Sequence, residues 1–283
     1  MEKGKLYIVG TPIGNLGDIT LRAIDTLKKV DIILAEDTRQ TLKLLNHLEI
    51  SKPMISYHRH NEVDKIDEVK KLLDSGKKVA LVSDAGMPRI SDPGEALVET
   101  LIREEYSIEV IPGVTALTTA VAYSSFDTDT FVFEGFLPMR PTRRRERLEK
   151  LKYETRVVVF YEAPHKILST LKDLYKFIGD REICIARELT KLHEDIRYTT
   201  ILEQIDLIEK EGIKGEIVLI VKGNELGDEE KKEEQDRING IDLLTDKELV
   251  EKYVESGIDK KEAIKKVAKE RGKTKNEVYM ECI

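Results

Sequence analysis

Residues 6–17 read LYIVGTPIGNLG: four apolar residues, Leu6 to Val9, run directly into a glycine-rich turn, Gly10 to Gly17. An unbroken apolar run bounded by glycine suits a strand covered on both faces, not one that alternates between core and water. Downstream, Thr20 to Val30 carries Leu21, Ile24 and Leu27 at helical spacing, and Ile32 to Ala35 is the next apolar strand. The alternation continues with a helix near 41–48, a strand at 54–56, a helical stripe through Val63, Ile66, Val69, Leu72 and Leu73, and a strand at 79–82. Asp92 as N-cap, Pro93 at the first helical position and Glu95 in the first turn predict the next helix, ahead of a strand at 108–111. Repeated βα units of this kind predict a mostly parallel sheet with helices on both faces.

Pro112-Gly113 closes this set, and a helix is expected over 116–124. A second α/β set follows, with strands near 131–133, 157–161, 183–186, 198–200 and 217–221 and helices near 143–151, 167–177 and 202–210. The expected organisation is an α/β domain at 1–124, a second α/β domain at 125–224, an acidic linker at 225–237 and a helical tail at 238–283. In the tail, Leu249, Val250, Tyr253 and Val254 form one stripe and Ala263, Ile264, Val267 and Ala268 another, with Gly272 beyond: a helix-turn-helix outline.

The 283 residues are 40% hydrophobic and 36% charged, which excludes a disordered polymer and implies a densely charged exterior. A net charge of -7 argues, as an average, against a nucleic-acid binder. The start MEKGKLYIVG lacks the apolar core of a secretory signal, no run approaches a membrane span, and two cysteines build no disulfide framework, so a reducing, cytoplasmic setting is expected.

The candidate chemistry gathers at strand ends. The Gly10–Gly17 turn fits neither the dinucleotide nor the P-loop spacing, and a ligand loop and a plain tight turn suit it equally. Ala35-Glu-Asp-Thr-Arg39 sets two carboxylates and a cation at the second strand end, where Asp37 or Thr38 also suits a helix cap. Ser83-Asp-Ala-Gly-Met-Pro-Arg-Ile-Ser-Asp-Pro-Gly94 is a poor recipe for simple packing and a good one for a shaped ligand loop, with Asp84 as an acceptor for a ligand's hydroxyl or ammonium. Pro112-Gly-Val-Thr-Ala116 opens a helix whose backbone donors are free. Phe160-Tyr-Glu-Ala-Pro-His165 and Arg187-Glu-Leu-Thr-Lys-Leu-His193 end two later strands; their histidines lack metal-ligand spacing, and no metal is expected. The stretch Met139 to Arg147 breaks the acidic average with Arg140, Arg143, Arg144, Arg145 and Arg147. Arginines at a helix N-terminus oppose the macrodipole, which favours a functional patch gripping phosphates over a solvated face.

Taken in order, VGTPIGNLGDIT, LAEDTR, LVSDAGMPRISDPG, VIPGVTA, FEGFLP, FYEAPHK, RELTKLHE and GEIVLIV resemble the ribosomal RNA small-subunit methyltransferase I family, within the tetrapyrrole-methylase-like (class III) S-adenosylmethionine-dependent methyltransferases. The resemblance spans about residues 5–221 and extends to the helical tail. It implies two α/β domains of the tetrapyrrole methylase type with the cofactor, S-adenosylmethionine, in the cleft between them, usually as a homodimer. It implies 2′-O-methylation of a cytidine ribose in the decoding region of 16S rRNA, acting on the RNA or the small ribosomal subunit. Motif by motif, it places cofactor contacts at Ile13, Ser83, Asp84, Met87, Thr115 and Ala116. The chain departs from the family pattern at Met87 and Arg89, where Thr and Leu are expected, and at Val114 and Thr115, where Pro and Ser are commoner.

Methyl transfer from a sulfonium to a ribose hydroxyl calls for near-attack positioning and a base. Glu36, Asp37 and Glu162 are the acidic candidates, with Asp37 and Glu162 preferred as catalytic; Arg39, Arg187 and Lys191, with Arg143, Arg144 and Arg145, are the expected substrate contacts. Two other readings are a same-fold methyltransferase acting on a tetrapyrrole or a protein side chain, and a non-catalytic nucleic-acid-binding regulator. The arginine cluster and tail speak against the first, and the ligand-like loops against the second.

Overall fold

The structure is a computed structural model that describes residues 3–225 and 244–282. The chain divides into two compact units, Met1–Asn224 and Glu225–Ile283. In the first unit, β1 (Lys5–Val9), β2 (Ile32–Ala35), β3 (Met54–Ser56), β4 (Val79–Val82) and β5 (Ser107–Ile111) form one sheet in the order β3-β2-β4-β1-β5. Every pairing in it is parallel. The apolar runs become strands because both faces are covered. Leu6, Ile8, Leu34 and Leu81 pack against Val69 and Leu73 of α3 (Glu62–Asp74) and Leu97 and Leu101 of α4 (Glu95–Arg103). On the other face Val9, Ile33, Ala35 and Val82 meet Ala23 and Leu27 of α1 (Leu21–Lys29) and Leu45 of α2 (Thr38–His47).

The second sheet has the order β6-β7-β10-β8-β9, from β6 (Phe131–Gly135), β7 (Val157–Glu162), β8 (Glu182–Arg187), β9 (Asp195–Thr200) and β10 (Ile217–Val221). Only β6 and β7 run parallel; β10 is antiparallel to β7 and β8, and β9 to β8. One face packs on α6 (Pro141–Leu151), α7 (Ile167–Ile178) and α8 (Ile201–Glu211) through Leu148, Leu171, Leu174 and Ile205. The opposite face, with Val157, Val159, Cys184, Ala186, Val218 and Ile220, is covered by Ala120 of α5 (Ala116–Tyr123) and by Ile13.

That last contact bears on the division expected at 124. Helix α5 follows the first sheet in sequence but lays its apolar side on the second, so residues up to 224 form one compact unit. The start of α4 also differs from expectation. Asp92 does not cap it; Gly94 does, at φ 119°, with its N–H donating to Glu62 Oε2 at 3.0 Å. A Cβ at Gly94 would stand 2.8 Å from Leu81, so glycine is required there, and Asp92 is left to point elsewhere.

The second unit builds its own small core. Helices α9 (Asp246–Glu255), α10 (Lys260–Glu270) and α11 (Lys275–Glu281) bury Leu249, Val250, Ala263, Ile264, Val267, Ala268 and Val278. Among its described residues these are three helices; the linker expected at 225–237 and the first residues of the tail lie, apart from Glu225, outside the described residues. Thr245 and Thr274 open α9 and α11 with reciprocal capping boxes, which satisfy backbone donors at both starts.

In the first sheet the order of connection reverses between β4 and β1, and ligands bind at the carboxyl ends of strands at such a switch point. Gly10 and Gly113, at the ends of β1 and β5, lie backbone against backbone there: a Cβ on Gly10 would come within 2.8 Å of Gly113. Replacing Gly10 by alanine is therefore expected to lower the unfolding free energy by about 1–3 kcal/mol in a denaturant titration. An unshifted midpoint would contradict this close approach.

Candidate active site

Two loops of the first sheet are tied into one wall. The Thr11 N–H donates to the Gly86 carbonyl at 2.9 Å, and the Gly86 N–H returns to the Thr11 carbonyl at 3.1 Å. The Thr11 hydroxyl donates to the Ser83 carbonyl at 3.2 Å. The loop after β1 is thus stitched to the loop after β4. The facing wall comes from the second sheet, where antiparallel pairing sets Ile217, at the start of β10, opposite Glu162 and Arg187, at the ends of β7 and β8.

Between these walls is a cavity of about 290 Å3. Ile13, Met87, Ile90, Asp92, Thr115 and Ala116 line it from one side and Phe136, Tyr161, Glu162, Pro164, Leu189 and Glu216 from the other. Tyr161 holds the two halves together: its hydroxyl accepts from the Leu117 N–H at 2.9 Å, and its ring packs edge-on against Phe133 and Phe136. Thr115 caps α5, accepting from the Thr118 N–H, so the start of this helix opens on the cavity wall.

Among the expected cofactor contacts, Ile13, Met87, Thr115 and Ala116 line the cavity. Ser83 and Asp84 are not among its lining residues, and Asp84 is exposed. Ser83 is buried with its hydroxyl toward the Gly86 carbonyl, and Asp84 accepts from the Asp37 N–H at 2.9 Å. Both make contacts that tie the loops together. Met87 fills the space left by the absent side chain of Gly10, its sulfur 2.7 Å from where a Cβ would stand.

The two preferred carboxylates have different fates. Asp37 is the N-cap of α2 and takes both the N–H and the guanidinium of Arg39, at 2.8 Å, 3.1 Å and 2.7 Å. The Arg39 guanidinium and N–H hold its carboxyl down at about 2, far from where a proton acceptor for a hydroxyl works best. Neither Asp37 nor Arg39 lines the cavity. The helix-cap alternative for Asp37 is the one the structure adopts. Glu162 does line the cavity, buried to 5% exposure, with one oxygen accepting from the Thr170 hydroxyl and the other from the Ala163 N–H.

The expected substrate cations also separate. Arg187 bonds Asp195 Oδ2 and the Lys214 carbonyl, each at 3.3 Å. Lys191 is held by Glu188 at 3.0 Å and Glu216 at 2.8 Å, which places it on the rim through Glu216. Arg145 pairs with Glu149 one turn along α6, and Arg144 turns inward to Asp173 and Thr170. Of the three clustered arginines only Arg143 faces the open groove beside the cavity, with Arg147, Lys150, Glu134, Glu146, Phe136 and Pro138. Phe136 lines both groove and cavity.

Sequence reading missed Asp92, Phe136, Tyr161 and Glu216 as wall residues. Asp92 is the most informative of them. Burial, and then the negative charge of Glu36, push its carboxyl up to about 7, against the opposing pull of Ser83 and Arg59. The signal was present in the run of acids and prolines after β4, but a helix-start rule accounted for it first. Glu36 and Asp84 are likewise raised, chiefly by burial.

The chain matches the model of the tetrapyrrole (corrin/porphyrin) methylases over residues 5–206. It is 54% identical over 222 residues to a ribosomal RNA small subunit methyltransferase I of Thermotoga maritima, an alignment covering 78% of this chain and all of that one. It is 46% identical over 281 residues to the protein of the same name from Halalkalibacterium halodurans, covering 98% and 94%. Among solved structures, a uroporphyrin-III C-methyltransferase of Thermus thermophilus, complexed with S-adenosylhomocysteine, superimposes with a TM-score of 0.58 at 18% identity, over 77% of this chain and 97% of that one.

Since the folded state holds the Asp92 proton more tightly than the unfolded chain, its contribution to stability is complete below about pH 4 and is lost as pH rises through about 7. Asp92→Asn should therefore flatten the decline of stability over that window. Solvent access to the cavity reduces the full linkage value to a gain of about 1–2 kcal/mol at pH 8. Denaturant midpoints at pH 5 and pH 8 test this; equal shifts at both would remove the assignment.

Proposed function

The chain belongs to the tetrapyrrole (corrin/porphyrin) methylases, and we propose that within that family it is an S-adenosylmethionine-dependent methyltransferase of small-subunit ribosomal RNA. The finer reading is 2′-O-methylation of a cytidine ribose in the decoding region of 16S rRNA, carried out in the cytoplasm by a homodimer. The observation that carries the RNA reading is the shared wall at Phe136. It joins a cavity lined by carboxyls to a groove that carries Arg143, Arg147 and Lys150 beside Glu134 and Glu146, with Arg147 paired to Glu134.

The cavity suits the cofactor by its chemistry. Apolar walls from Ile13, Met87, Ile90 and Leu189 accept a flat ring, and the carboxyls of Asp92 and Glu162, with Glu216 already paired to Lys191, line the space offered to a cation. When bound, S-adenosylmethionine supplies an electrophilic methyl group on a positively charged sulfur. Ile13, Met87, Thr115 and Ala116 would hold it, while Ser83 and Asp84 keep the supporting loops in place. A hydroxyl attacks well only as its proton leaves, and in this reading Glu162, whose two oxygens are held by the Thr170 hydroxyl and the Ala163 N–H, accepts that proton. Asp92, with its carboxyl near 7, adds a second acceptor that is partly ionised at neutral pH.

The groove suits a polyanion. Arg143, Arg147 and Lys150 lie at spacings of three and four along α6, hence on one helix face. The exposed ring of Phe136 at the junction offers a stacking surface for an unpaired base, and single-stranded RNA is recognised through such platforms. In the second unit, Lys265, Lys266 and Lys269 lie on the side of α10 opposite its buried stripe and support a further contact with RNA. An extended polyanion can engage this helix face along its length. No helix among the described residues is long and apolar enough to cross a membrane.

Labelled methyl transfer from S-adenosylmethionine to small-subunit RNA, or to the assembled subunit, tests the reading. Transfer is expected at one cytidine ribose and should vanish with a 2′-deoxy residue at the target; transfer to a porphyrinoid instead would overturn it. Charge reversal of Arg143 and Lys150 together should raise the KM for RNA about tenfold or more and make its salt dependence shallower by about 1–2 in log-log slope. Cofactor affinity, measured by calorimetry, should stay unchanged.

A further inference from the structure

Arg144 sits in the most basic stretch of the chain, yet its side chain is only 18% exposed and points away from the groove. Its Nε donates to Asp173 Oδ2 at 2.7 Å and its Nη2 to Thr170 Oγ1 at 2.9 Å. Thr170 is fully buried, and its hydroxyl donates to Glu162 Oε1 at 2.5 Å. The direction of this chain follows from the groups themselves. A guanidinium has no acceptor, so the Thr170 oxygen must accept from it, and the single hydroxyl proton is left for the carboxylate. Glu162 Oε2 accepts from the Ala163 N–H at 2.9 Å, so both oxygens are fixed.

Anchoring α6 to α7 does not require this arrangement. The Arg144–Asp173 pair already joins the two helices. A threonine inside a helix commonly returns its hydroxyl to the carbonyl one turn back, and a valine would fill the same space. Here the hydroxyl crosses instead from α7 to the end of β7 and meets the one carboxylate of the cavity that is buried to 5% exposure.

We propose that Arg144 and Thr170 are positioning residues that set the orientation of the Glu162 carboxylate toward the substrate hydroxyl. The arginine cluster then has two tasks: Arg143 faces the RNA groove, and Arg144 supports the cavity from behind. The proposal rests on the rRNA methyltransferase reading, and its test keeps the two apart.

Steady-state methyl transfer to small-subunit RNA is measured for the full chain and for Thr170→Val, Thr170→Ser, Arg144→Ala and the Thr170→Val/Arg144→Ala double variant, with S-adenosylmethionine affinity measured by calorimetry on each. Thr170→Val and Arg144→Ala should each lower kcat about 10- to 100-fold, the scale of a small misplacement of a reacting group. The KM for RNA and the cofactor affinity should stay within about twofold. Thr170→Ser, which keeps the hydroxyl, should recover most of the activity. The double variant should be no slower than the slower single one, because one chain is cut at two points. A raised RNA KM with unchanged kcat for Arg144→Ala would make it a phosphate contact and overturn the proposal. Full activity of Thr170→Val, failure of serine to rescue it, or additive losses would overturn it as well. If the unsubstituted protein transfers no methyl group to RNA, the rRNA reading itself falls. If it does so and Thr170→Val is unimpaired, only the positioning role falls.

Discussion

Gly10 and Gly113 touch through their backbones, and the cavity takes its form from that contact. With no side chain on either, the loops leaving β1 and β5 run side by side, and Met87 enters the space a Cβ would occupy. The paired N–H and carbonyl groups of Thr11 and Gly86 then bind the loop after β4 to the same wall. One wall is thus made of loops that leave three parallel strands at one edge of the sheet. A mostly antiparallel second sheet supplies the other, because its strands begin and end at the edge that faces these loops. Helix α5 belongs to both, leaving the first sheet through Thr115 and burying Ala120 on the second.

Charge is arranged by position rather than by total. The whole-chain value of -7 conceals a cavity with three carboxyls next to a groove with three cations and two carboxylates, the two sharing Phe136. Within the arginine stretch, neighbouring residues point to different places: Arg143 to the groove, Arg144 to Thr170 and Asp173, Arg145 to Glu149. A helix separates adjacent side chains by about 100°, so a run of like residues cannot act as one patch. Five arginines in sequence are therefore not five phosphate contacts in space.

The strands were legible from the chain because their apolar runs are continuous and short. The strands at 32–35, 54–56, 79–82 and 217–221 fall where the pattern places them. The loops were legible as ligand-like, but the roles of the residues inside them were not. Asp37 and Asp92 show why. Both are aspartates near a helix start, where capping and chemistry use the same residue type. Asp37 caps, because Arg39 folds back on it and its carboxylate is next to the first turn. Asp92 does not, because Glu62, thirty-odd residues away, takes the Gly94 N–H and lets glycine begin the helix.

By itself the sequence determined the alternation of strands and helices, the apolar stripes of the helical tail and the family, since these depend on local periodicity and on motifs in order. The tertiary structure alone decided which carboxylates face the cavity, which arginines face the groove, the direction of the strands in the second sheet, and the coupling of Arg144 to Glu162 through Thr170. Each of those is a contact between residues distant in the chain or a choice of rotamer. Such choices follow from what else competes for the same donor, acceptor or volume, and that competition exists only once the elements are packed together.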